Sequence, residues 1–573
     1  MDSQQVAQIL DDMGTLLELR GENPFRCRAY HNAADVLRGL PGELAEAIAD
    51  GSLAKVSGIG DTMLEKITQL ATTGHLESFE ALKREIPSGL VALLRVPGLG
   101  PKKIKLLHEE LKITSLEDLK AAAQSGLIAK QKGFGEKTAA RILEGLAFIE
   151  KSGDRILQST ARRLAAPLLE FLRDQKGVTQ AEACGSLRRR AETIGDLDLL
   201  FASTNASPIL DHIAKLPGVE TVLAHGPTKV SVRLREQVQC DVRGVKPDEF
   251  PFALNYFTGS KAHNIALRRR AQQMDLKLSE YALEGPQGAI PCADEPALYR
   301  ALGLDYIPPE LREDHGEIDA AESHQLPDLV NREDLTGTFH CHTDWSDGGA
   351  TLEEMVDAAQ KLGFAYLGIA DHSRSAAYAR GLSIERVREQ WQAIDAINRE
   401  LAGKFRVFKG IECDILPDGS LDYPDDILAG FDYVVASVHS SFSLSKEAQT
   451  QRICKAVAHP AVTMLGHPTG RLLLAREGYA LDLDAVIKTA AQSHTMIEIN
   501  ASPHRLDLDS HFARRARDAG VTIAINPDAH STSEIALVDY GVGIARRAWL
   551  SKNQILNTKS TDKVAAALHK PTQ

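Results

Sequence analysis

Through residues 1–150, apolar side chains recur at helical spacing, with abundant Ala, Leu and Glu and turns at Gly and Pro. This pattern predicts an all-helical first segment. From about residue 151 the texture shortens to brief β-rich runs, LDLLFAS, KVSVRL and QCDVRGV, within a mixed segment that reaches about 305. Residues 305–335 hold many acids, three prolines and little periodicity, and read as an inter-domain linker. After 336, strand-like runs alternate with helical stretches: YLGIADH, RVFKGIECDI, YVVASVHS, VTMLGHP, TMIEINAS and VTIAINPDAH. Such alternation predicts βα units around a parallel sheet or barrel. The expected organisation is 1–85 and 86–150 (helical), 151–250 and 251–310 (mixed α+β), 311–335 (linker) and 336–573 (α/β).

A chain of 573 residues is long enough for several such domains. Its longest apolar runs are strand-sized, well short of the roughly 20 residues of a membrane span, so no membrane role is expected. The opening MDSQQVAQILDDMG is acidic and lacks a signal-like apolar stretch. Seven cysteines stand singly, with no C-x-x-C, which points to a reducing cytoplasm. The net charge of −12 is uneven. Residues 1–300 hold 39 basic and 39 acidic side chains, whereas 301–573 hold 27 and 39. The balanced half carries basic clusters: Lys102, Lys103 and Lys105; Lys130, Lys132 and Lys137; Arg188 to Arg190; Arg268 to Arg270. Local patches of this kind are what a nucleic-acid binder needs.

The apolar runs of the C-terminal half end in candidate metal ligands. TGTFHCHTDWSDG holds His340, His342, Asp344 and Asp347, of which His340, His342 and Asp347 join the ligand set. The later runs lead to His372, Glu412, His439, His467 and Asp528, with His530 two residues on. In a β/α barrel the C-terminal strand ends face one mouth, so these distant residues are expected to converge. Imidazoles and carboxylates without thiolates suit Zn²⁺, Mn²⁺ or Fe²⁺, and nine ligands imply two or three ions. Cys341 and Cys413 are expected to face away from them. Arg471, in GHPTGR, is a candidate for holding a substrate phosphate. Together HCHTDWSDG, ADHS, GIECDI, VHSSF, GHPTGR and PDAH resemble the PHP (polymerase and histidinol phosphatase) domain. The resemblance implies a distorted (β/α)7 barrel with a trinuclear metal site, in a family that includes small-molecule phosphatases and DNA exonucleases.

In the helical half, VSGIGDTMLEKI, VPGLGPKKIKLL and KGFGEKTAARIL each place Gly-apolar-Gly before an amphipathic helix. Glycine admits a tight turn, and the helix N-terminus offers free N–H groups to a phosphate. The three stretches resemble helix-hairpin-helix elements, which grip the DNA backbone without reading sequence. The candidate contacts are Gly58, Gly60, Gly98, Gly100, Lys102, Lys103, Gly133, Gly135 and Lys137.

In ACGSLRRRAETIGDLDLLFAS, Asp196 and Asp198 sit two apart on a predicted strand, so both carboxylates are expected to project from one face. Asp241 lies in VQCDVRGV, on what reads as a neighbouring strand. Three converging carboxylates suit a pair of hard cations, Mg²⁺ or Mn²⁺. Gly185 and Ser186 form a turn fit for a terminal phosphate, with Arg189 to neutralise charge. This constellation, with YFTGSKAHN at 256–264, resembles the nucleotidyltransferase palm and nucleotide-selecting thumb of family X DNA polymerases. The resemblance implies that Asp196, Asp198 and Asp241 bind the metals and that Gly185, Ser186 and Arg189 hold the triphosphate. It further implies that Tyr256 and Phe257, next to Gly259, bracket the sugar, that Asn264 meets the base edge, and that Arg243 steadies the acids. Gln239 departs from the arginine of eukaryotic members. Lys66 matches the family's Schiff-base lysine for a 5′-deoxyribose phosphate, or else contacts a phosphate. Thr62 replaces the family's second basic residue, and Arg26 is a substitute for another.

A family X polymerase followed by a PHP domain is an arrangement of bacterial and archaeal enzymes. It implies gap-filling synthesis with 3′–5′ trimming on one chain, with gapped or primer-template DNA and deoxynucleoside triphosphates as partners. A phosphatase attached to a DNA-binding module is the alternative. A monomer is the default expectation.

Overall fold

The computed structural model describes residues 1, 3–38, 40, 44–56, 58–94, 96, 99–234 and 237–568. The chain forms two compact units, Met1–Gly153 and Asp154–Gln573. Among the described residues, no helix is long and apolar enough to cross a membrane.

The first unit is helical, as the apolar spacing predicts. Its longer helices are Ser3–Arg20, Pro24–Arg38, Asp61–Thr73, Pro101–Leu111 and Glu136–Ser152. Leu10, Leu37, Ile67, Ile104, Leu107 and Ile142 belong to one continuous core. The boundaries follow local chemistry. Gly60, Gly100 and Gly135 are the N-caps of their helices, Pro101 fills the first helical turn, and Ser115 accepts a hydrogen bond from Asp118 N at the start of Leu116–Gln124.

The second unit begins with a five-stranded mixed sheet in the order Val178–Ala183, Leu197–Ser203, Gln239–Val245, Lys229–Leu234, Val219–His225. Only the Leu197–Ser203 and Gln239–Val245 pair is parallel. Helix Gln158–Asp174 covers the sheet through Ala161, Ala165 and Leu172. Helices Phe250–Thr258 and Lys261–Gln273, a small antiparallel sheet and helix Glu295–Ala301 follow.

The stretch expected as a linker is packed structure. Leu304, Ile307, Leu311 and Ala321 join the core of the preceding segment, and Glu317–Glu322 is helical. Arg312 is fully buried, with Nη1 2.7 Å from Glu295 Oε1 and Nε donating to Ile307 O. Glu295 also receives Arg188 Nη2 at 2.6 Å. Charged residues, which ordinarily mark loops, here form buried pairs, Arg312 with Glu295 and Glu317 with His263.

From Gly337 seven parallel strands run in sequence order: Gly337–Cys341, Tyr366–Ile369, Arg406–Asp414, Tyr433–Ser437, Met464–Leu465, Met496–Asn500 and Ile523–Asn526. The first and last meet through a Cys341–Ala529 bridge, so the sheet nearly closes into a barrel. Phe339, Tyr366, Phe408 and Tyr433 share one cluster, to which Val564 and Leu568 of the final helix Thr561–Leu568 also belong. A Cβ on Gly410 would lie 2.2 Å from the Tyr433 ring, so that strand position excludes larger residues. Five surrounding helices start with side-chain caps: Thr351, Ser383, Ser445, Asp482 and Asp509.

The barrel and the preceding segments are tied together. Arg546 meets Glu310 at 2.8 Å, Arg547 meets Glu313 at 3.0 Å, and Arg162 meets Asp539 at 2.6 Å. Trp549 packs into the core that contains Leu298 and Tyr299.

Candidate active sites

At the barrel mouth the nine expected ligands converge into overlapping groups. These are His342, Asp347, His372 and His530; His340, His342 and Glu412; His340, His467 and Asp528; and His372, Glu412 and His439. Glu412 is the hub. Its carboxylate lies 2.8 Å from His467 Nε2, 2.9 Å from His372 Nδ1, 3.2 Å from His439 Nε2 and 3.3 Å from His340 Nε2. Asp347 stands on the exposed side, 3.4 Å from His530 Nε2 and 3.6 Å from His372 Nε2. Asp344 joins none of these groups. Cys341 and Cys413 pack in the outer core, as expected.

The residues fit divalent cations. His340 Nε2, both ring nitrogens of His342 and Glu412 Oε2 are buried without a hydrogen-bond partner, which is costly unless a ligand engages them. Burial and the neighbouring His530 and His372 rings push His342 down to about 3, so it stays a neutral ligand. Burial works against protonation of Glu412's neighbours, yet the carboxylates hold His372 up at about 10 and His439 at about 9. Protons therefore compete with metal there. His340, His467 and Asp528 have φ of 56°, 24° and 55°, left-handed backbone at three non-glycine ligands. Such strain, about 1–3 kcal/mol each, is characteristic of functional sites.

Behind the ligands lies a layer of carboxylates that the sequence reading missed. Glu498, fully buried, accepts His340 Nδ1 at 2.7 Å, His467 N at 3.1 Å, Asn500 Nδ2 at 3.0 Å and Asn526 Nδ2 at 2.8 Å. It thereby directs His340 Nε2 toward the cluster. Asp414 holds His439 Nδ1 at 2.5 Å. Asp371 receives Thr343 N, Thr343 Oγ1 and Gln390 Nε2 at 2.7–2.8 Å and so fixes the turn between His342 and Asp347. The available signal was an acid within an apolar strand, as in MIEIN. Arg471 is not free for a phosphate. Its guanidinium meets Glu192 at 2.9 Å and donates to the carbonyls of Arg505 and Leu506. Arg505, with Nε 3.6 Å from Asp528, is the guanidinium beside the ligands.

A second acidic site lies on the mixed sheet. Asp198 and Asp241 are direct partners across the parallel strands, and Asp196 is exposed just before the first of them. Burial, with Asp196 and Asp241 nearby, pushes Asp198 up to about 7. That mutual repulsion is relieved by a cation. Burial alone would raise Asp241, but Lys229 Nζ at 2.5 Å and Gln239 Nε2 at 3.1 Å hold it below its usual range. Lys229 was not anticipated; it faces the acid from the adjoining strand. Gly185 adopts φ +59°, and a Cβ there would lie 2.4 Å from Asp198 Oδ2. The glycine therefore lets the turn with half-buried Ser186 sit against the acids.

Arg189 donates Nη1 to Thr258 O at 2.6 Å and Nε to Glu313 at 3.0 Å. Tyr256 and Phe257 are edge-to-face at 5.1 Å, and Gly259 follows them with φ 67°. Arg243 lies over Phe257 at 4.5 Å and lines a small cavity with Asp198 and Asp241. Asn264 donates to Tyr256 O at 2.7 Å, leaving its buried Oδ1 unpartnered.

In the first unit Gly58 and Gly133 have φ of 97° and 89°. A Cβ on Gly60, Gly100 or Gly135 would meet no protein atom within 4 Å. These helix starts are therefore open to another molecule. Lys102 and Lys103 lie in the first turn of Pro101–Leu111, and Lys137 in that of Glu136–Ser152. Gly98 lies outside the described residues. Lys66 is half-buried on Asp61–Thr73, Thr62 is exposed, and Arg26 pairs with Glu22 at 3.1 Å.

Family profiles match in four places: a helix-hairpin-helix domain at 1–76, a SAM-like helix-hairpin-helix tandem at 90–147, a DNA polymerase beta thumb at 253–313 and a PHP domain at 338–502. The chain is 37% identical over 573 residues, 99% of each chain, to the DNA polymerase/3′-5′ exonuclease PolX of Bacillus subtilis (strain 168). The chain belongs to the bacterial family X DNA polymerases with a C-terminal PHP domain. The thumb profile follows the mixed sheet in the chain, and the PHP profile spans most of the ligands at the barrel mouth. The PHP region also resembles probable phosphatases. One, from Thermoanaerobacter sp. (strain X514), is 28% identical over 233 residues, 38% of this chain and 89% of that protein. Another, from Caldicellulosiruptor saccharolyticus, is 31% identical over 215 residues, 35% and 82%.

Proposed function

We propose that this chain repairs short gaps in DNA, adding deoxynucleotides to a primer 3′-OH at the palm and removing nucleotides from 3′ ends at the barrel mouth. The observation that carries this reading is the pairing of Asp198 with Asp241 across parallel strands, in a unit that also holds the nine-ligand cluster. Asp196, Asp198 and Asp241 hold Mg²⁺ or Mn²⁺. His340, His342, Asp347, His372, Glu412, His439, His467, Asp528 and His530 hold two or three ions of Zn²⁺, Mn²⁺ or Fe²⁺. When bound, such cations polarise phosphate oxygens and make a hydroxyl or water nucleophilic near neutral pH.

The chain's own groups do the rest. Gly185, Ser186 and Arg189 seat the triphosphate, with Arg189 exchanging Glu313 for a phosphate oxygen. Tyr256 and Phe257 bracket the sugar, and Asn264 turns to the base edge. Lys229 and Gln239 keep Asp241 ionised and oriented. At the barrel Glu498 and Asp414 fix the tautomers of His340 and His439, while Arg505 offsets charge on the scissile phosphate. The three glycine-led helix starts hold the DNA backbone through N–H groups, assisted by Lys102, Lys103 and Lys137. Lys66 acts as a lyase nucleophile or as a further phosphate contact. The protein works in the cytoplasm.

Gapped DNA assayed with Mg²⁺ or Mn²⁺, with and without nucleotides, tests the reading. Asp196→Ala/Asp198→Ala is expected to lose extension only, and His340→Ala/His342→Ala to lose 3′ trimming only. Retained extension in the second variant shows that it is folded. The likeness to probable phosphatases favours a second reading, in which the barrel cleaves small phosphate monoesters. Normal DNA trimming by the barrel variant, with lost phosphomonoester hydrolysis, selects that reading instead.

A further inference from the structure

Tyr378 is the most exposed aromatic side chain of the second unit among the described residues, at 71%, yet it stands beside the most buried polar cluster. Its ring centre is 6.1 Å from that of His372 and 6.4 Å from that of His439. An exposed aromatic ring on a loose loop would need no explanation, but this loop is pinned. Ser375 N and Arg374 Nε donate to buried Asp422 at 2.7 and 3.2 Å. Ala376 and Ala379, on either side of the tyrosine, are each 99% covered. The short Ala377–Ala379 turn closes through Ala379 N to Ala376 O at 2.9 Å. The backbone is held down while the ring is held out, next to two metal-ligating imidazoles.

We infer that Tyr378 is a specificity-determining residue of the barrel site, a platform on which the 3′-terminal nucleobase of a DNA strand stacks while its phosphodiester lies at the ligands. The inference rests on the 3′-trimming reading above. Every base offers a π-face, so such a platform selects nucleotides over base-free phosphate esters without reading sequence. A stacked base is worth about ten-fold in affinity, within the usual range for aromatic-to-alanine changes.

The test uses the full chain and two oligonucleotides, one ending in a normal 3′ nucleotide and one in an abasic 3′ residue. Wild type is expected to favour the base-bearing end about ten-fold, through KM rather than kcat. Tyr378→Ala abolishes the preference, and Tyr378→Phe keeps it. A metal-free readout accompanies this: 2-aminopurine placed at the 3′ end is quenched by stacking in wild type and in the Phe variant, but not in the Ala variant. An unchanged preference in Tyr378→Ala overturns the inference. So does equal loss on both oligonucleotides, which marks a structural role, or loss in Tyr378→Phe, which marks a role for the hydroxyl. A wild-type chain that trims neither oligonucleotide defeats the exonuclease reading itself, and the stacking role with it.

Discussion

Glu295 offers a sharp test of how the segment between palm and barrel is held. Its carboxylate, 4% exposed, faces Arg188 at 2.6 Å and Arg312 at 2.7 Å. Burial alone would raise its pKa, but the two guanidinia hold it down, from an ordinary 4.5 to about 2. At about 1.4 kcal/mol per pH unit, that depression corresponds to roughly 3 kcal/mol of stability at neutral pH. An independent route gives the same size: unpairing a buried charge costs about 3–5 kcal/mol. Glu295→Gln keeps the shape and removes the charge. It is expected to lower the urea midpoint of the second unit's unfolding by the equivalent of about 3 kcal/mol at pH 7. The sign follows from the lowered pKa. The contribution is complete above the unfolded value and fades as pH falls from about 4.5 toward about 2, so the gap between wild type and variant narrows over that window. Replacing Arg312 as well, in Glu295→Gln/Arg312→Met, restores part of the loss because the orphaned cation is gone. Arg188 loses a charged partner in the same change and keeps its hydrogen bond to Thr258 Oγ1 at 2.7 Å. A Glu295→Gln variant as stable as wild type at pH 7, or a gap that persists undiminished near pH 2, would refute the reasoning.

Other expectations follow from single contacts. Glu498→Gln should weaken metal retention at the barrel about 10–100-fold, read by metal analysis after dialysis against a graded chelator. Gly185→Ala, with a Cβ 2.4 Å from Asp198, should abolish primer extension while 3′ trimming persists. Lys102→Glu/Lys103→Glu should weaken DNA binding equally across sequences and flatten the salt dependence by about two units of slope, measured by anisotropy titrations at several ionic strengths.

Much of this organisation is legible in the sequence because it is local. Three Gly-apolar-Gly turns announce their helix starts, and strand-end ligands announce a barrel mouth. Of the D-x-D pair, Asp198 lies on the strand and Asp196 just before it. The exceptions are contacts between residues distant in sequence. Arg312 looks like loop chemistry among prolines, and only its pairing with Glu295 makes it a buried ion. Arg471 looks like a phosphate ligand until Glu192, nearly three hundred positions earlier, claims it. Lys229, Glu498, Asp371 and Asp414 act through a neighbour's side chain, which no spacing rule encodes. Tyr378 is one more tyrosine until the burial of Ala376 and Ala379 is known.

The ties between barrel and palm bear on modularity. A PHP barrel looks like a detachable appendage, yet ending the chain near residue 330 would strip Arg546 from Glu310, Arg547 from Glu313 and Asp539 from Arg162. It would also remove Trp549 from the core around Leu298 and Tyr299. The shortened protein would expose an apolar hole and strand several charges at once. Deleting the barrel from this chain would therefore also take away packing and charge pairing that the polymerase side relies on.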